Sequence, residues 1–314
     1  MTLFVTTLGQ MGYLFSFMLI GFLLAKLKAV PDNAATVLSK MESNFLIPAL
    51  VLDTFIKNFN RQVLASTGAI LLLSLGVLVV CIPLTMLLSR LCTRDGYLRN
   101  VYTFGLSFSN FAFMGYAVVQ AVFPQIYYEY VIFTLSIWFV VYLWGMPELL
   151  IADAGKKRGI GQRLKDLCNP MFICMIVGMV LGYLEIPLPS FAVKVIETGS
   201  ACMSPLAMVL TGMTLAYISL KRTFGDPRVY LMSFFKLLLL PLAFLLLCKL
   251  LPVTSLPMGE TFFLCTLCSL AMPYGLNAIV ILASYGKDTS VPAGLALVTH
   301  LFSCLTIPLV FLLI

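Results

Sequence analysis

The stretch "SLAMPYGLNAIVILASYG" (residues 269–286) decides how the chain is read. It is apolar enough for a membrane helix, yet Pro273, Gly275 and Asn277 fall close together in its middle. Proline removes a backbone donor and clashes with the preceding turn, and a carboxamide in hydrocarbon is costly without partners. Non-helical backbone at membrane depth survives only where protein or a water-filled cavity satisfies its polar groups. The run is therefore expected to be a span broken at its centre, with the break facing a site.

Composition agrees that the solvent is lipid. Of 314 residues, 61% are hydrophobic and 11% charged, and mean hydropathy is +1.03. A soluble domain carries about 25% charged residues. Apolar runs between polar turns predict an all-α polytopic membrane protein with ten spans: 6–28, 36–56, 63–90, 98–122, 128–150, 169–184, 195–219, 229–250, 259–284 and 290–313. Nothing is left over for a soluble domain. The opening run "MTLFVTTLGQMGYLFSFML" has no basic segment and no small-residue cleavage site, so it is expected to be the first span and not a removed signal peptide.

The net charge of +7 resides mostly in loops, a pattern that orients a membrane chain and gives no reason to expect nucleic acid. Connections 1–2, 3–4, 5–6, 7–8 and 9–10 hold fourteen Lys and Arg, among them Lys156, Lys157, Arg158, Arg163 and Lys165. The alternate connections hold four: Lys57, Arg61, Lys194 and Lys249. The first set is expected in the cytoplasm and both termini outside, in the plasma membrane.

Internal repetition is the strongest signal. "LIGFLLAKLKAVP" (residues 19–31) resembles "IVGMVLGYLEIP" (residues 176–187), with Gly21 and Gly178 separated by 157 positions. Pro48 and Pro205 are also 157 apart, and Pro83 and Pro241 are 158 apart. The chain is thus expected to be two five-span repeats, 1–155 and 169–314, joined by a short linker at 156–168. An odd span number inverts the second copy, an arrangement characteristic of secondary transporters. Span four then pairs with span nine. Gly115 matches Gly275, and Ser107, Ser109 and Asn110 form a polar cluster opposite Pro273 and Asn277. Two broken helices in related positions predict a midplane substrate site, whose half-helix N-termini favour an anion.

At these residues the chain resembles the auxin efflux carrier family, the PIN-like transporters of plants and their bacterial relatives. The resemblance rests on "NFLIPALVL", "SNFAFMG", "NPMFICMIVGMVLG", "GSACMSPLAMVLTGMTLA" and "AMPYGLNAIVILASYG", in that order along nearly the whole chain. It implies a PIN-like (BART-type) fold: a scaffold of spans 1, 2, 6 and 7, and a transport domain of spans 3–5 and 8–10 in which helices 4 and 9 cross. It implies a bacterial-type carrier of organic anions such as auxin, malate or malonate. Carried over by position, Asn110, Met114 and Gly115 belong to the first crossover, and Pro273 and Gly275 to the second. The family's proline two residues after the first crossover glycine is here Ala117, which predicts a less sharply broken fourth helix.

Tyr116 and Tyr274 are candidates either to donate hydroxyls to a ligand or to fill the gap. Ser107, Ser109 and Ser269 are candidates to hold Na⁺ with backbone carbonyls, since neither crossover has an acidic residue. Glu42, Lys236 and the single histidine, His300, are the intramembrane groups able to handle H⁺, with Lys236 also placed to snorkel. The pair Cys265 and Cys268 lacks the partners that a metal or redox site needs, and no cofactor is expected. A small organic anion and membrane lipid are the expected partners, with a homodimer left open. Two other readings stay open: a non-transporting receptor of the same fold, and a membrane-embedded enzyme using His300, a cysteine and a carboxylate.

Overall fold

The computed structural model describes residues 2–152, 161, 168–217, 219–250 and 258–314. The expected linker at 156–168 therefore lies outside the described residues, apart from Gly161 and Cys168. The first half runs α1 (Thr2–Lys26), α2 (Ala34–Met41), α3 (Ile47–Asn58), α4 (Arg61–Cys92), α5 (Gly96–Ser107), α6 (Gly115–Val122) and α7 (Tyr127–Val140). The second runs α8 (Pro170–Tyr183), α9 (Ser190–Tyr217), α10 (Leu220–Gly225), α11 (Pro227–Phe234), α12 (Leu240–Leu250), α13 (Gly259–Ala271), α14 (Asn277–Ser284) and α15 (Ser290–Phe311). Helical turns of π type at Glu42–Leu46, Val141–Ile151 and Phe235–Leu239 carry α2 into α3, extend α7, and join α11 to α12.

Six helices among the described residues are long and apolar enough to cross a membrane: Ala34–Asn58, Gly68–Cys92, Pro124–Ile151, Ser190–Tyr217, Pro227–Leu250 and Ser290–Phe311. Gly12–Lys26, Pro170–Tyr183 and Gly259–Ala271 are shorter apolar helices. A shell of exposed Leu, Val, Ile and Phe surrounds the bundle, among them Leu72, Val79, Leu91, Phe191 and Leu305. An outer surface this apolar fits hydrocarbon and not water.

Helices α1 and α8 stop in the same way. Lys28 and Glu185 both take left-handed backbone, with φ of 54° and 53°. After them Ala29 N donates to Leu24 O at 2.9 Å, and Ile186 N donates to Leu181 O at 3.0 Å. This is the Schellman closure, which caps the last carbonyls of a helix. Neither residue is a glycine, so both positions accept the cost of a side chain in that conformation. The two positions are 157 residues apart, the spacing of Gly21 and Gly178.

Those glycines are also contact points. Gly21 lies against the Val209 backbone and Gly212 against Met18, which brings α1 and α9 to close approach. In the corresponding contact, a Cβ on Gly178 would sit 2.9 Å from Phe55 Cβ, and one on Gly182 would sit 2.7 Å from Phe55 O. Helix α8 thereby packs on α3 as α1 packs on α9. In lipid, where no hydrophobic force drives helices together, small residues allow such close packing. Lys57 ties α3 to α9 at one end, reaching Asp53 at 2.7 Å and Glu197 at 2.9 Å.

Candidate functional site

Two spans are interrupted inside the bundle. Residues 108–114 separate α5 from α6, and residues 272–276 separate α13 from α14. The fourth helix is thus broken completely and over the longer stretch, contrary to the expectation drawn from Ala117. A proline is unnecessary because tertiary partners take up the freed backbone. Ser109 and Tyr274 form an antiparallel bridge, and Asn110 N donates to Pro273 O at 2.8 Å. Tyr130 OH donates to Phe111 O at 3.1 Å, and Ser204 Oγ of α9 donates to Phe113 O at 2.8 Å. Tyr274 N donates to Thr299 Oγ1 at 3.1 Å. The breaks persist because each segment supplies hydrogen bonds that the other has lost.

Gly275 is required where the two segments meet. A Cβ there would lie 2.7 Å from Phe108 O and 3.1 Å from Ser109 O, both backbone atoms of the other break. Gly115 is closed in by the Tyr130 hydroxyl, and Gly105 by the Tyr274 ring. Tyr274 therefore fills the gap: it is buried, and its hydroxyl donates to Val101 O at 3.3 Å. Tyr116 is likewise committed, its hydroxyl lying 2.9 Å from Thr134 Oγ1 and accepting from Trp138 Nε1 at 3.3 Å.

Most of the candidate residues converge here. Ser109 Oγ donates to Ser269 O at 2.6 Å, bonding one broken span to the other. Asn110 Nδ2 lies 3.0 Å from His300 Nε2. His300 Nδ1 lies 2.7 Å from Ala296 O, a group that only accepts, so Nδ1 carries the hydrogen and Nε2 accepts from Asn110. The histidine orients the Asn110 amide, and neither ring nitrogen is idle. Met114 is fully buried and precedes α6, whose first turn has no side-chain cap. Asn277 opens α14, also without a side-chain cap before it, and its Oδ1 is buried with no partner among the described residues. Asn110 and Asn277 are 2% and 6% exposed, so the crossing is closed to bulk water in this conformation.

Three candidates lie apart from the bridge. Ser107 Oγ pairs with Thr85 Oγ1 at 2.6 Å. Together with Ser74, Thr266 and Ser269 it lines a cavity of about 10 Å³, room for roughly one water molecule. Lys236 does not snorkel. It is 2% exposed, and its Nζ donates to Leu106 O at 3.3 Å, in the last turn of α5. The π turn at Phe235–Leu239 directs it inward, where the uncapped carbonyls of a helix end offer an acceptor that lipid does not. Glu42 is on the π turn of the second span and touches none of the bridge residues through a hydrogen bond.

Thr85, Thr266, Ser204, Thr299 and Tyr130 were missed from sequence. Isolated hydroxyls in apolar runs are common, and only packing tells which ones face a break. Cys265 and Cys268 are both buried free thiols, and no group of three or more metal-ligating side chains occurs among the described residues.

The family model described as "membrane transport protein" (Mem_trans, the auxin efflux carrier or PIN-like family) matches residues 6–163 and 159–311. A search of curated proteins finds no match. With nearly the whole chain matched and apolar helices in place, the chain belongs to the Mem_trans family of membrane transport proteins and is a multi-pass membrane transporter.

Proposed function

We propose that the chain is a secondary carrier of small organic anions, auxin-like compounds or mono- and dicarboxylates such as malate or malonate, bound where the two broken helices cross. The observation that carries this reading is that two interrupted spans meet inside the bundle, so that the half-helices α6 and α14 both begin at the crossing with the buried Asn110 and Asn277 beside them. Helix N-termini present N–H donors and a partial positive charge, which suit a carboxylate. In this reading the second N–H of the Asn110 amide, the first being held by His300, and the Asn277 amide would add neutral donors to the anion.

In this reading the ten spans form two inverted repeats of five. The matched ends of α1 and α8, and the matched packing of α1 on α9 and α8 on α3, support it. Spans 1, 2, 6 and 7 would stay fixed while spans 3–5 and 8–10 carry the crossing past them by an elevator-like or rocking movement. The excess of basic residues in alternate loops supports both termini facing outward from the plasma membrane.

Thermal stabilisation of the purified protein across a panel of mono- and dicarboxylates, in sodium and sodium-free buffers, tests the site. A ligand that binds only the folded state raises the midpoint. The expected result is a shift with at least one carboxylate that is lost in Asn110→Ala and Asn277→Ala. A shift untouched by both substitutions would place the site elsewhere. Binding without flux in liposomes would assign a receptor instead of a carrier.

A further inference from the structure

Among the described residues, four of the buried side-chain atoms left without a hydrogen bond belong to two elements that pack on each other. Glu42 Oε1, Glu42 Oε2 and Ser43 Oγ lie on the π turn Glu42–Leu46, and Asn277 Oδ1 lies in the first turn of α14. Glu42 is 0% exposed. Among the described residues, no charge on a neighbouring element compensates it. Lys40 of α2 is exposed, Asp53 and Lys57 of α3 pair with each other, and Glu197 of α9 pairs with Lys57. Lys194, Cys202 and Tyr217 of α9 and Tyr183 of α8 are exposed, Cys174 of α8 is half-buried, and α14 carries no ionisable side chain.

An ionised carboxylate in such a place has neither a donor nor a counter-ion, a combination that folded proteins and bilayers strongly disfavour. A neutral acid is tolerated far better. The π turn is also informative: it widens the helix by one residue at the point where Glu42 turns inward, a local irregularity that concentrates at functional positions.

We propose that Glu42 carries an exchangeable proton: while it is held, the neutral acid lets the second span and α14 stay packed in this closed conformation, and its loss parts them. On release, the carboxyl O–H gives its proton to water at the near membrane surface. The carboxylate left behind then draws water into the contact, and Ser43 and Asn277 gain solvent partners as the surfaces part. No other bond is made or broken. Since α14 contributes Asn277 to the proposed anion site, the inference extends that reading: each proton held or lost at Glu42 sets which way the loaded crossing can move, and the carrier is driven by H⁺.

Two measurements on the purified full-length protein need no substrate. Infrared difference spectra across a pH titration should show a protonated-carboxyl C=O band in an apolar setting that is absent in Glu42→Gln. In Glu42→Asp, which keeps an acid should the amide fail to fold, the band should shift. The folded state would hold a proton that the unfolded chain releases, so the melting midpoint of wild type, taken relative to Glu42→Gln, should fall as pH rises above the ordinary carboxylate range. A band and slope unchanged by either substitution would overturn the proposal. In liposomes, a gradient of one pH unit should drive up to about tenfold accumulation of a carboxylate that shows counterflow. Glu42→Gln, which has no proton to release, should abolish that accumulation, and accumulation equal to wild type would again overturn the proposal. If the band and slope behave as expected but no carboxylate shows counterflow, the anion reading fails and the proton site stands.

Discussion

Alanine at Gly275 would place a methyl carbon 2.7 Å from Phe108 O, whereas such carbon–oxygen contacts relax at about 3.3 Å or more. The two broken segments must therefore separate by about 0.6 Å along that contact. The neighbouring bond from Asn110 N to Pro273 O, now 2.8 Å, would stretch beyond the useful range for a hydrogen bond. Orphaning a buried backbone pair costs about 1–3 kcal/mol, and overpacking adds a further ~1–3 kcal/mol. The expected loss is about 2–6 kcal/mol in all, large against typical folding stabilities. The assay is thermal unfolding of the purified variant in one detergent, beside Gly76→Ala as a control. Gly76 lies in α4 with nothing within 4 Å of an added Cβ, so alanine there should be neutral or stabilise by up to about 1 kcal/mol. Gly275→Ala should melt several degrees below wild type and lose flux. Equal midpoints for Gly275→Ala and wild type would refute the close crossing of the two segments.

Breaking the Asn110–His300 contact from either side should cost about 1–3 kcal/mol, because each removal leaves a buried polar partner. The double variant Asn110→Ala/His300→Ala should cost less than the sum, and additive melting shifts would show that the two are not coupled. Ser109→Ala removes the 2.6 Å bond to Ser269 O that ties the two broken spans, and should lower the midpoint by the equivalent of about 1 kcal/mol. A midpoint equal to wild type would argue against that tie. Lys57→Ala should change stability by about 1 kcal/mol or less despite two ion pairs, since the lysine side chain is 49% exposed. That small effect should shrink further in high salt, and a large, salt-independent loss would contradict it.

The breaks themselves were legible in the sequence because the chemistry of a break is local. Pro273 and Gly275 disfavour a helix wherever they sit, and Ser109 with Asn110 compete for backbone hydrogen bonds. The depth of the first break was not legible. Ala117 says nothing about the hydroxyls of Tyr130 and Ser204 that hold residues 111 and 113 open, because those hydroxyls arrive from distant parts of the chain. Lys236 was misread for a related reason. A lysine near the end of an apolar run ordinarily reaches for water, but here the end of α5 offers the Leu106 carbonyl. The glycine and proline spacing of 157 was visible, while the matching left-handed turns at Lys28 and Glu185 were not. Neither residue type signals that conformation. The isolation of Glu42 was likewise invisible, since a sequence shows a charged residue and not the absence of its partner.

The measurement that bears most directly on the central claim is carboxylate counterflow in liposomes, with wild type, Asn110→Ala and Asn277→Ala reconstituted side by side. The account predicts saturable exchange of at least one small carboxylate in wild type and its loss in both variants, each still folded by its melting curve. Exchange that survives both substitutions would contradict an anion site at the crossing of the broken helices.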